Sequence, residues 1–283
     1  MTRLAALAPI DTAIAAQPFL KWAGGKGRLL AQYQPLFPAQ FKTYYEPFLG
    51  GGAVFFRLTP PRAQLSDINT ALVNVYQSVQ HDVETLIDRL RQHQQRHGQD
   101  YYYAVRSQHD LTGVAQAARL IYLNKTCFNG LYRENSKGQF NVPMGRYKKP
   151  AICNPDLLYA ASAALQNTRI QVAGFADVLS QAVAGDFVYF DPPYHPISDT
   201  SCFTAYSKFA FREAEQRQLR EVFGELCDRG VQVMLSNSDC DLIRALYRDF
   251  PIHPIWAARA INSKAKRRGK IPEVLVTSYP VEP

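Results

Sequence analysis

The segment Asp191-Pro192-Pro193-Tyr194 carries the side chains best suited to chemistry in this sequence. It follows the apolar run Asp186 to Phe190, which predicts a buried strand and places the segment at the carboxyl end of a sheet, where α/β proteins bind ligands. The prolines fix the backbone, so a rigid carbonyl stands beside a carboxylate and an aromatic ring. These groups suit an exocyclic amino group such as that of adenine, because hydrogen bonds from its N–H groups favour a more nucleophilic nitrogen. A proline-rich turn without chemistry is the alternative.

A glycine loop forms a second candidate site. Phe48-Leu49-Gly50-Gly51-Gly52 predicts a strand, a tight loop and a helix that bring backbone N–H groups to a ligand. Asp67 follows Gly50 by seventeen residues, at the end of the next predicted strand, where an acid can bind ribose hydroxyls. The loop is not a G-x-G-x-x-G fingerprint, because Phe55 stands at its third glycine position. A plain turn and a surface aspartate are the alternative.

Strands and helices alternate at both ends of the chain, which predicts an α/β doubly wound domain. A mostly helical block, Thr70 to about Leu165, lies between them, and its residues Ala71 to Arg96 have helical spacing. The predicted strands are Tyr44–Phe48, Gln64–Asp67, Asp186–Phe190, Val231–Ser236 and Glu273–Tyr279, and the later helices are Glu213–Asp228 and Asp241–Phe250.

The net charge of +8 comes from two short segments. Arg146 to Lys149 carries three positive charges and Asn262 to Lys270 carries five, and neither contains an acid. Such concentrated charge suits a polyanion such as nucleic acid. Two solvated basic loops are the alternative.

Other classes of protein are disfavoured. No apolar run reaches the about 18–20 residues of a membrane span, and the start of the chain to Gln17 reads as a loose tail rather than a signal peptide. The five cysteines lack paired spacing, which favours a reducing cytoplasm. We expect no metal site, and His93 and His97 read as part of a solvated polar helix.

Three motifs in order resemble the alpha-class, D12 or Dam-type, DNA adenine N6-methyltransferases. They are Phe19 to Lys26 (FLKWAGGK), the F-x-G-x-G of Phe48 to Gly52, and the D-P-P-Y of Asp191 to Tyr194. The resemblance extends from about Pro18 to Pro280, and it includes Leu65–Asn69, Leu123–Pro150 and Phe203–Tyr206.

The resemblance implies a Rossmann-like S-adenosylmethionine-dependent methyltransferase domain, residues 1–70 and 166–283. A mostly helical target-recognition domain with a β-hairpin, residues 71–165, would be inserted in it. The N6 atom of a flipped adenine would attack the sulfonium methyl group directly, without a covalent enzyme intermediate. The catalytic residues would be Asp191, Pro192, Pro193 and Tyr194, and S-adenosylmethionine would bind at Trp22, Lys26, Phe48, Gly50, Gly52, Asp67, Asp177 and Asp191.

The segment from Leu123 to Pro143 reads as a polar hairpin with an aromatic, an amide and an arginine, and an ordinary surface hairpin is the alternative. By the resemblance it reads GATC. Arg133 would read a guanine and Phe128, which stands where the family often has Tyr, would insert beside the flipped adenine. The other DNA-binding residues would be Lys21, at the first guanine, Asn129, Leu131 and Pro143.

The resulting hypothesis is a cytoplasmic, bacterial-type adenine methyltransferase, monomeric and associated with the nucleoid through duplex DNA, with no membrane or metal partner. Restriction-modification and DNA replication or repair are its possible settings. An N4-cytosine methyltransferase is one alternative, although that family more often has Ser at the Asp191 position. A non-catalytic DNA-binding regulator of the same fold is the other.

Neutralising either basic segment, Arg146 to Lys149 or Asn262 to Lys270, should weaken binding to duplexes of every sequence and flatten the salt dependence of the affinity, because phosphate contacts release counterions. Binding isotherms at several salt concentrations, on duplexes with and without GATC, measure this. A change in the preferred sequence would contradict the assignment.

Overall fold

The computed structural model describes residues 14–196, 211–257 and 271–281. Seven strands are present in these ranges. They are β1 (Tyr44–Glu46), β2 (Ala63–Asp67), β3 (Thr168–Val172), β4 (Phe187–Phe190), β5 (Gln232–Ser238), β6 (Ile252–Ala257) and β7 (Ile271–Thr277). They form one sheet in the order β3-β2-β1-β4-β5-β7-β6.

Strands β1 to β5 are parallel, and β7 runs antiparallel to both β5 and β6. The chain order reverses at β1, which has β2 on one side and β4 on the other. Such a switch point opens a crevice outside the carboxyl ends of the strands, and ligands bind there in α/β folds. The predicted Rossmann-like methyltransferase fold is confirmed.

The helices also follow the predicted alternation. They are α1 (Leu30–Tyr33), α2 (Ala53–Leu58), α3 (Thr70–His81), α4 (Val83–Arg96), α5 (Gln99–Arg106), α6 (Gly113–Thr126), α7 (Pro155–Leu165), α8 (Glu213–Asp228) and α9 (Asp241–Leu246). Single 3-10 turns cover Lys26–Arg28, Gln34–Leu36 and Phe128–Gly130, and a longer 3-10 helix covers Phe175–Ser180.

Several details differ from the predictions. Helix α9 ends at Leu246 and not at Phe250, and β7 is Ile271–Thr277 and not Glu273–Tyr279. The helical run Ala71 to Arg96 is divided at Asp82, whose φ of −130° and ψ of 33° end α3 before α4 begins. Strand β3 was not predicted, because its short alternating pattern follows a helix without a clear turn. Strand β6 was not predicted either, because Pro254 argues against a central strand; β6 lies at the end of the described sheet, where proline is tolerated.

The sheet and the helical block share a hydrophobic core. One cluster includes Tyr44, Leu65 and Phe187 on the sheet and continues to Tyr76 on α3 and Tyr122 on α6. A second cluster packs α8 and α9 against the opposite face. The division into residues 1–70 with 166–283 and residues 71–165 stays a prediction; among the described residues, one hydrophobic cluster extends across it.

Helix α4 is mostly exposed, as predicted, but His93 on it and His97 at its end are half-buried. The His93 ring stacks on Tyr122 with centroids 4.8 Å apart, and its Nδ1 lies 2.8 Å from the Tyr101 hydroxyl. His97 Nδ1 lies 3.0 Å from the Tyr122 hydroxyl. Burial lowers the pKa of His93 to about 4, so this histidine stays neutral and packs α4 against α5 and α6.

Some predictions fall outside the described residues: the tail from residue 1 to 13, the Phe203–Tyr206 segment, and the basic segment Asn262 to Lys270. Within the ranges that are described, no group of three metal-binding side chains occurs. Over the same ranges, no helix has the length and apolar character that a membrane crossing requires.

Substituting Gln80→Leu should lower the free energy of unfolding by about 1–3 kcal/mol, because buried carbonyls lose their donor. The Gln80 side-chain amide on α3 donates to Leu165 O at 2.6 Å and to Thr168 O at 2.7 Å, and so joins α3 to the turn between α7 and β3. Urea unfolding measures the change. The matched variant Gln95→Leu, at an exposed position of α4, should stay within about 0.5 kcal/mol of the parent; equal effects would contradict the assignment.

Candidate active site

Asp191 directly follows β4 and pairs with a buried lysine. Lys26 Nζ lies 2.8 Å from Asp191 Oδ1, and Lys26 is only 5% exposed. The same ammonium donates to Gly24 O at 2.6 Å, which is possible because Gly24 has a φ of +77° and turns the chain back on itself. Lys26, the second lysine of the FLKWAGGK segment, therefore lies against the D-P-P-Y loop.

A second donor reaches the same carboxylate oxygen from β5. Ser236 Oγ donates to Asp191 Oδ1 at 2.7 Å, and it lies 2.9 Å from the Tyr189 hydroxyl. Sequence reasoning missed Ser236, although polar residues that follow the apolar part of a strand were a signal available in the sequence. Lys26 and Ser236 both donate to Asp191 Oδ1, so Asp191 Oδ2 is the oxygen that can accept a hydrogen bond from a ligand.

Two contacts hold the Tyr194 side chain, one at its hydroxyl group and one at its ring. Its hydroxyl donates to Glu273 Oε2 on β7 at 2.9 Å, and Lys26 Nζ lies 4.6 Å from its ring centroid. Burial raises the pKa of Tyr194 well above its usual value, so the phenol keeps its proton. Glu273 was not predicted as a site residue.

The proline pair presents its two carbonyls differently. Pro193 O accepts a hydrogen bond from Gln216 Nε2 at 3.1 Å, whereas Pro192 O accepts none from the described residues. The next residue, His195, donates its N–H to Asn237 Oδ1 at 3.2 Å. The loop after β4 is thus held by α8 and β5, and one rigid carbonyl remains available beside Asp191.

The second group of predicted residues surrounds Asp67 at the end of β2. Its carboxylate accepts hydrogen bonds from Gly50 N at 3.2 Å and from Asn69 N at 2.9 Å, and burial raises its pKa. The adjacent side chains of Ile68 and Val172 are 47% and 52% exposed. An oriented carboxylate beside exposed apolar groups fits a nucleoside with ribose hydroxyls.

The glycines of the loop serve internal packing. Gly50 and Gly52 have φ values of +47° and +64°, and a Cβ atom would lie 3.0 Å from Trp22 Cδ1 at Gly50 and 2.9 Å from the Tyr76 hydroxyl at Gly52. The Gly50 N–H donates to Asp67 and the Gly52 N–H to Leu49 O at 2.8 Å. These two N–H groups are therefore used within the protein.

The predicted cofactor residues Phe48 and Asp177 contact the 3-10 segment Phe175–Ser180 and the glycine before it, respectively. The Phe48 ring stacks on Phe175 with centroids 5.6 Å apart. Asp177 Oδ2 accepts the Gly174 N–H at 2.8 Å and lines a small cavity together with Ser66. Neither residue has a hydrogen bond or ion pair with Asp191 in the described structure.

A buried carboxylate on β1, Glu46, was missed by sequence reasoning. It is 3% exposed and accepts hydrogen bonds from the Tyr44 hydroxyl at 2.9 Å and from Phe55 N at 3.1 Å. The Phe55 N–H belongs to the first turn of α2, whose N-cap Gly52 supplies no side chain. Glu46 therefore caps α2 from the neighbouring strand, and burial raises its pKa to about 8.

The predicted hairpin, residues 123–143, has two isolated antiparallel bridges, Cys127 with Met144 and Glu134 with Phe140, and no continuous strands. Phe128 N donates to Pro143 O at 2.9 Å, and Phe128 and Leu131 are 50% and 42% exposed. Asn129, which has a φ of +55°, is also exposed. Arg133 Nε donates to the Asn141 side chain at 2.7 Å.

Asn124 ties the hairpin to the segment that carries Lys21 and Trp22. It accepts the Lys21 N–H at 2.8 Å and donates to Lys21 O at 2.7 Å and Gly130 O at 3.2 Å. The Trp22 and Tyr132 rings are 5.3 Å apart. The structure thus links the predicted DNA-binding residues to the glycine loop through Trp22, and to Asp191 through Lys26.

Comparison with known proteins gives concordant matches. A family model described as D12 class N6 adenine-specific DNA methyltransferase matches residues 22–261. The Type II methyltransferase M1.LlaDCHI of Lactococcus lactis subsp. cremoris is 45% identical over 93% of this chain and 95% of its own. The Type II methyltransferase M.MjaIII of Methanocaldococcus jannaschii is 41% identical over 93% and 99%. The DNA adenine methylase of Escherichia coli K12 is 35% identical over 93% and 95%.

Replacing Glu46→Gln should change how stability depends on pH. A carboxyl whose pKa is about 8 in the folded protein and ordinary in the unfolded chain binds more protons when folded, so the free energy of unfolding falls as pH rises between those values and levels off above about 8. The glutamine variant should lack this fall. Urea unfolding from about pH 5 to about pH 9 tests it, with Glu221→Gln, exposed on α8, as the control; parallel curves for the parent and Glu46→Gln would refute it.

Proposed function

Because the chain belongs to the D12 class N6 adenine-specific DNA methyltransferases, we propose that it methylates adenine within GATC in duplex DNA, after flipping that adenine out of the helix. The observation that carries the proposal is the Asp191 carboxylate, which Lys26 and Ser236 hold at Oδ1 beside the Tyr194 ring. S-adenosylmethionine is the proposed methyl donor.

The loop after β4 offers two hydrogen-bond acceptors for the amino group of adenine, whose lone pair is delocalised into the purine ring. Asp191 Oδ2 and Pro192 O accept one N–H each and thereby favour a tetrahedral nitrogen with a localised lone pair, while the Tyr194 ring stacks on the base. S-adenosylmethionine would supply the methyl group, whose bond to sulfur breaks, with the electron pair kept by sulfur, as N6 forms its new bond. Asp191 then takes the proton that N6 loses and passes it to water.

The residues around the glycine loop fit S-adenosylmethionine. Asp67 would accept hydrogen bonds from the ribose hydroxyls, and the exposed apolar groups at the ends of β2 and β3 would contact the base. These proposed contacts are supported by the oriented Asp67 carboxylate, which lies beside the exposed side chains of Ile68 and Val172. The other proposed contacts are Trp22, Lys26, Phe48, Gly50, Gly52, Asp177 and Asp191.

The hairpin is the proposed reader of GATC, within a target-recognition domain of residues 71–165. Asn141 holds Arg133 at two points: its side-chain oxygen accepts from Nε at 2.7 Å and its backbone oxygen accepts from Nη2 at 3.4 Å. The Nη1 group and the second N–H of Nη2 would then donate to the O6 and N7 atoms of a guanine. Phe128, exposed at the hairpin base, would fill the space beside the flipped adenine without the hydroxyl of a tyrosine. Lys21, Asn129, Leu131 and Pro143 complete the proposed DNA surface.

The protein would act as a monomer on duplex DNA in the nucleoid. Two of the relatives reported above carry the name Type II methyltransferase and one is named DNA adenine methylase. We propose restriction-modification as the setting of this chain, because the two more similar of these relatives carry the first name.

The protein should transfer tritiated methyl groups from S-adenosylmethionine to duplexes that contain GATC and not to matched duplexes that lack it. Asp191→Ala should abolish transfer while DNA affinity stays largely intact, because the loop after β4 chiefly serves the chemical step. Asp228→Ala, at an exposed position at the end of α8, is the control and should transfer at the parent rate.

Three results would contradict this proposal. Equal labelling of duplexes with and without GATC would refute the specificity. Tight binding without labelling of any duplex would instead favour a regulator. Turnover in a folded Asp191→Ala protein would show that the catalytic centre lies elsewhere.

A further inference from the structure

Two hydroxyl groups, those of Ser236 and Tyr189, form a hydrogen-bonded chain that ends at the Asp191 carboxylate. Strands β4 and β5 are parallel neighbours in which Phe190 pairs with Leu235, so the next residues along, Asp191 and Ser236, stand side by side. Ser236 Oγ is 2.7 Å from Asp191 Oδ1 and 2.9 Å from the Tyr189 hydroxyl. Tyr189 and Ser236 have no exposed surface.

The hydrogen bonds between these hydroxyl groups run in one direction only, from Tyr189 through Ser236 to Asp191. Lys26 donates to Asp191 Oδ1, and Ser236 gives its single hydroxyl proton to the same oxygen. The Ser236 oxygen is then free to accept, so Tyr189 must donate to it. Burial raises the pKa of Tyr189 well above its usual value, which keeps this donor protonated. Each bond polarises the next one toward the carboxylate.

We propose that Ser236 is a positioning residue for methyl transfer: together with Lys26 it fixes the carboxyl plane of Asp191 and thereby directs Oδ2 at the target amino group. This inference rests on the proposed function, because it assumes an amino group as the partner of Oδ2. Lys26 alone leaves the carboxyl group free to rotate about the bond to Cβ. A second donor, from a neighbouring strand, removes that freedom.

Tyr189 acts one step further from the substrate. Without its hydroxyl, the Ser236 oxygen loses its buried donor, but the Ser236 proton still reaches Asp191. The effect of Tyr189→Phe should therefore be smaller than that of Ser236→Ala, and the two changes should not be additive in a double variant, since they act through one chain.

The test compares Ser236→Ala with the parent in single-turnover methylation of a GATC duplex. The rate of the chemical step should fall about tenfold to a hundredfold, as for other small misplacements of reacting groups. The KM for S-adenosylmethionine should change by less than about twofold, because the residues proposed to bind it are untouched. Ser78→Ala, which removes a buried serine of α3 far from β4, should keep the parent rate.

A binding measurement without methyl donor separates orientation from folding. Two affinities are measured for each protein: one for a duplex with adenine at the target position, and one for the same duplex with purine there, which lacks the amino group. The ratio of the adenine affinity to the purine affinity should be lower for Ser236→Ala than for the parent. The purine–thymine pair opens more easily than adenine–thymine, but this effect is the same for both proteins and cancels when their ratios are compared. If Ser236→Ala does not fold, Tyr189→Phe replaces it in this test, because phenylalanine has nearly the volume of tyrosine. Tyr189→Phe should slow the chemical step severalfold.

The outcomes distinguish the inference from the proposed function. If the parent labels no duplex, the proposed function fails. If the parent methylates GATC and folded Ser236→Ala or Tyr189→Phe has the parent rate and the parent adenine-to-purine ratio, the positioning role is refuted. A fall in thermal stability with an unchanged rate and ratio would likewise overturn it.

Discussion

The ion pair between Lys26 and Asp191 joins the amino-terminal segment to the loop after β4. A lysine with 5% of its surface exposed needs partners for its charge, because an unpaired buried ammonium is costly. Asp191, the Gly24 carbonyl and the Tyr194 ring supply them. The same contacts fix the Asp191 carboxylate, which is the proposed catalytic group, so the stability of the buried charge and the geometry of the site depend on one interaction.

The other parts of the site are arranged around the segment that carries Lys26. Trp22 covers Gly50 and thereby sets the shape of the glycine loop, whose Gly50 N–H orients the Asp67 carboxylate. Asn124 holds the backbone of Lys21 against the hairpin at Gly130. The groups proposed to bind the cofactor, to catalyse the reaction and to read DNA are thus connected through a few consecutive residues of the FLKWAGGK segment.

Local patterns predicted the parts of the fold that local forces determine. The alternation of apolar runs and turns located β4 and the whole of α8, and the D-P-P-Y segment lies at the carboxyl end of β4, where a motif after a strand must lie. The partners of Ser236 and Glu273 could not be assigned in this way, because they lie 45 and 79 residues away in the sequence; Ser236 meets Asp191 only through the pairing of β4 with β5. The role of Glu46 could not be assigned either, because it depends on how the start of α2 lies beside β1. The burial of His93 likewise depends on α6, which the polar pattern of α4 does not reveal.

The central claim, that Lys26 and Asp191 form one interdependent unit, is tested most directly by a double-mutant cycle on the free energy of unfolding. Lys26→Met and Asp191→Asn should each destabilise the protein by somewhat less than the about 3–5 kcal/mol of a fully buried pair, since the Asp191 side chain is 20% exposed. The double variant should be no less stable than the less stable single variant, because neither charge then remains unpaired. Losses that simply add in the double variant would contradict the claim.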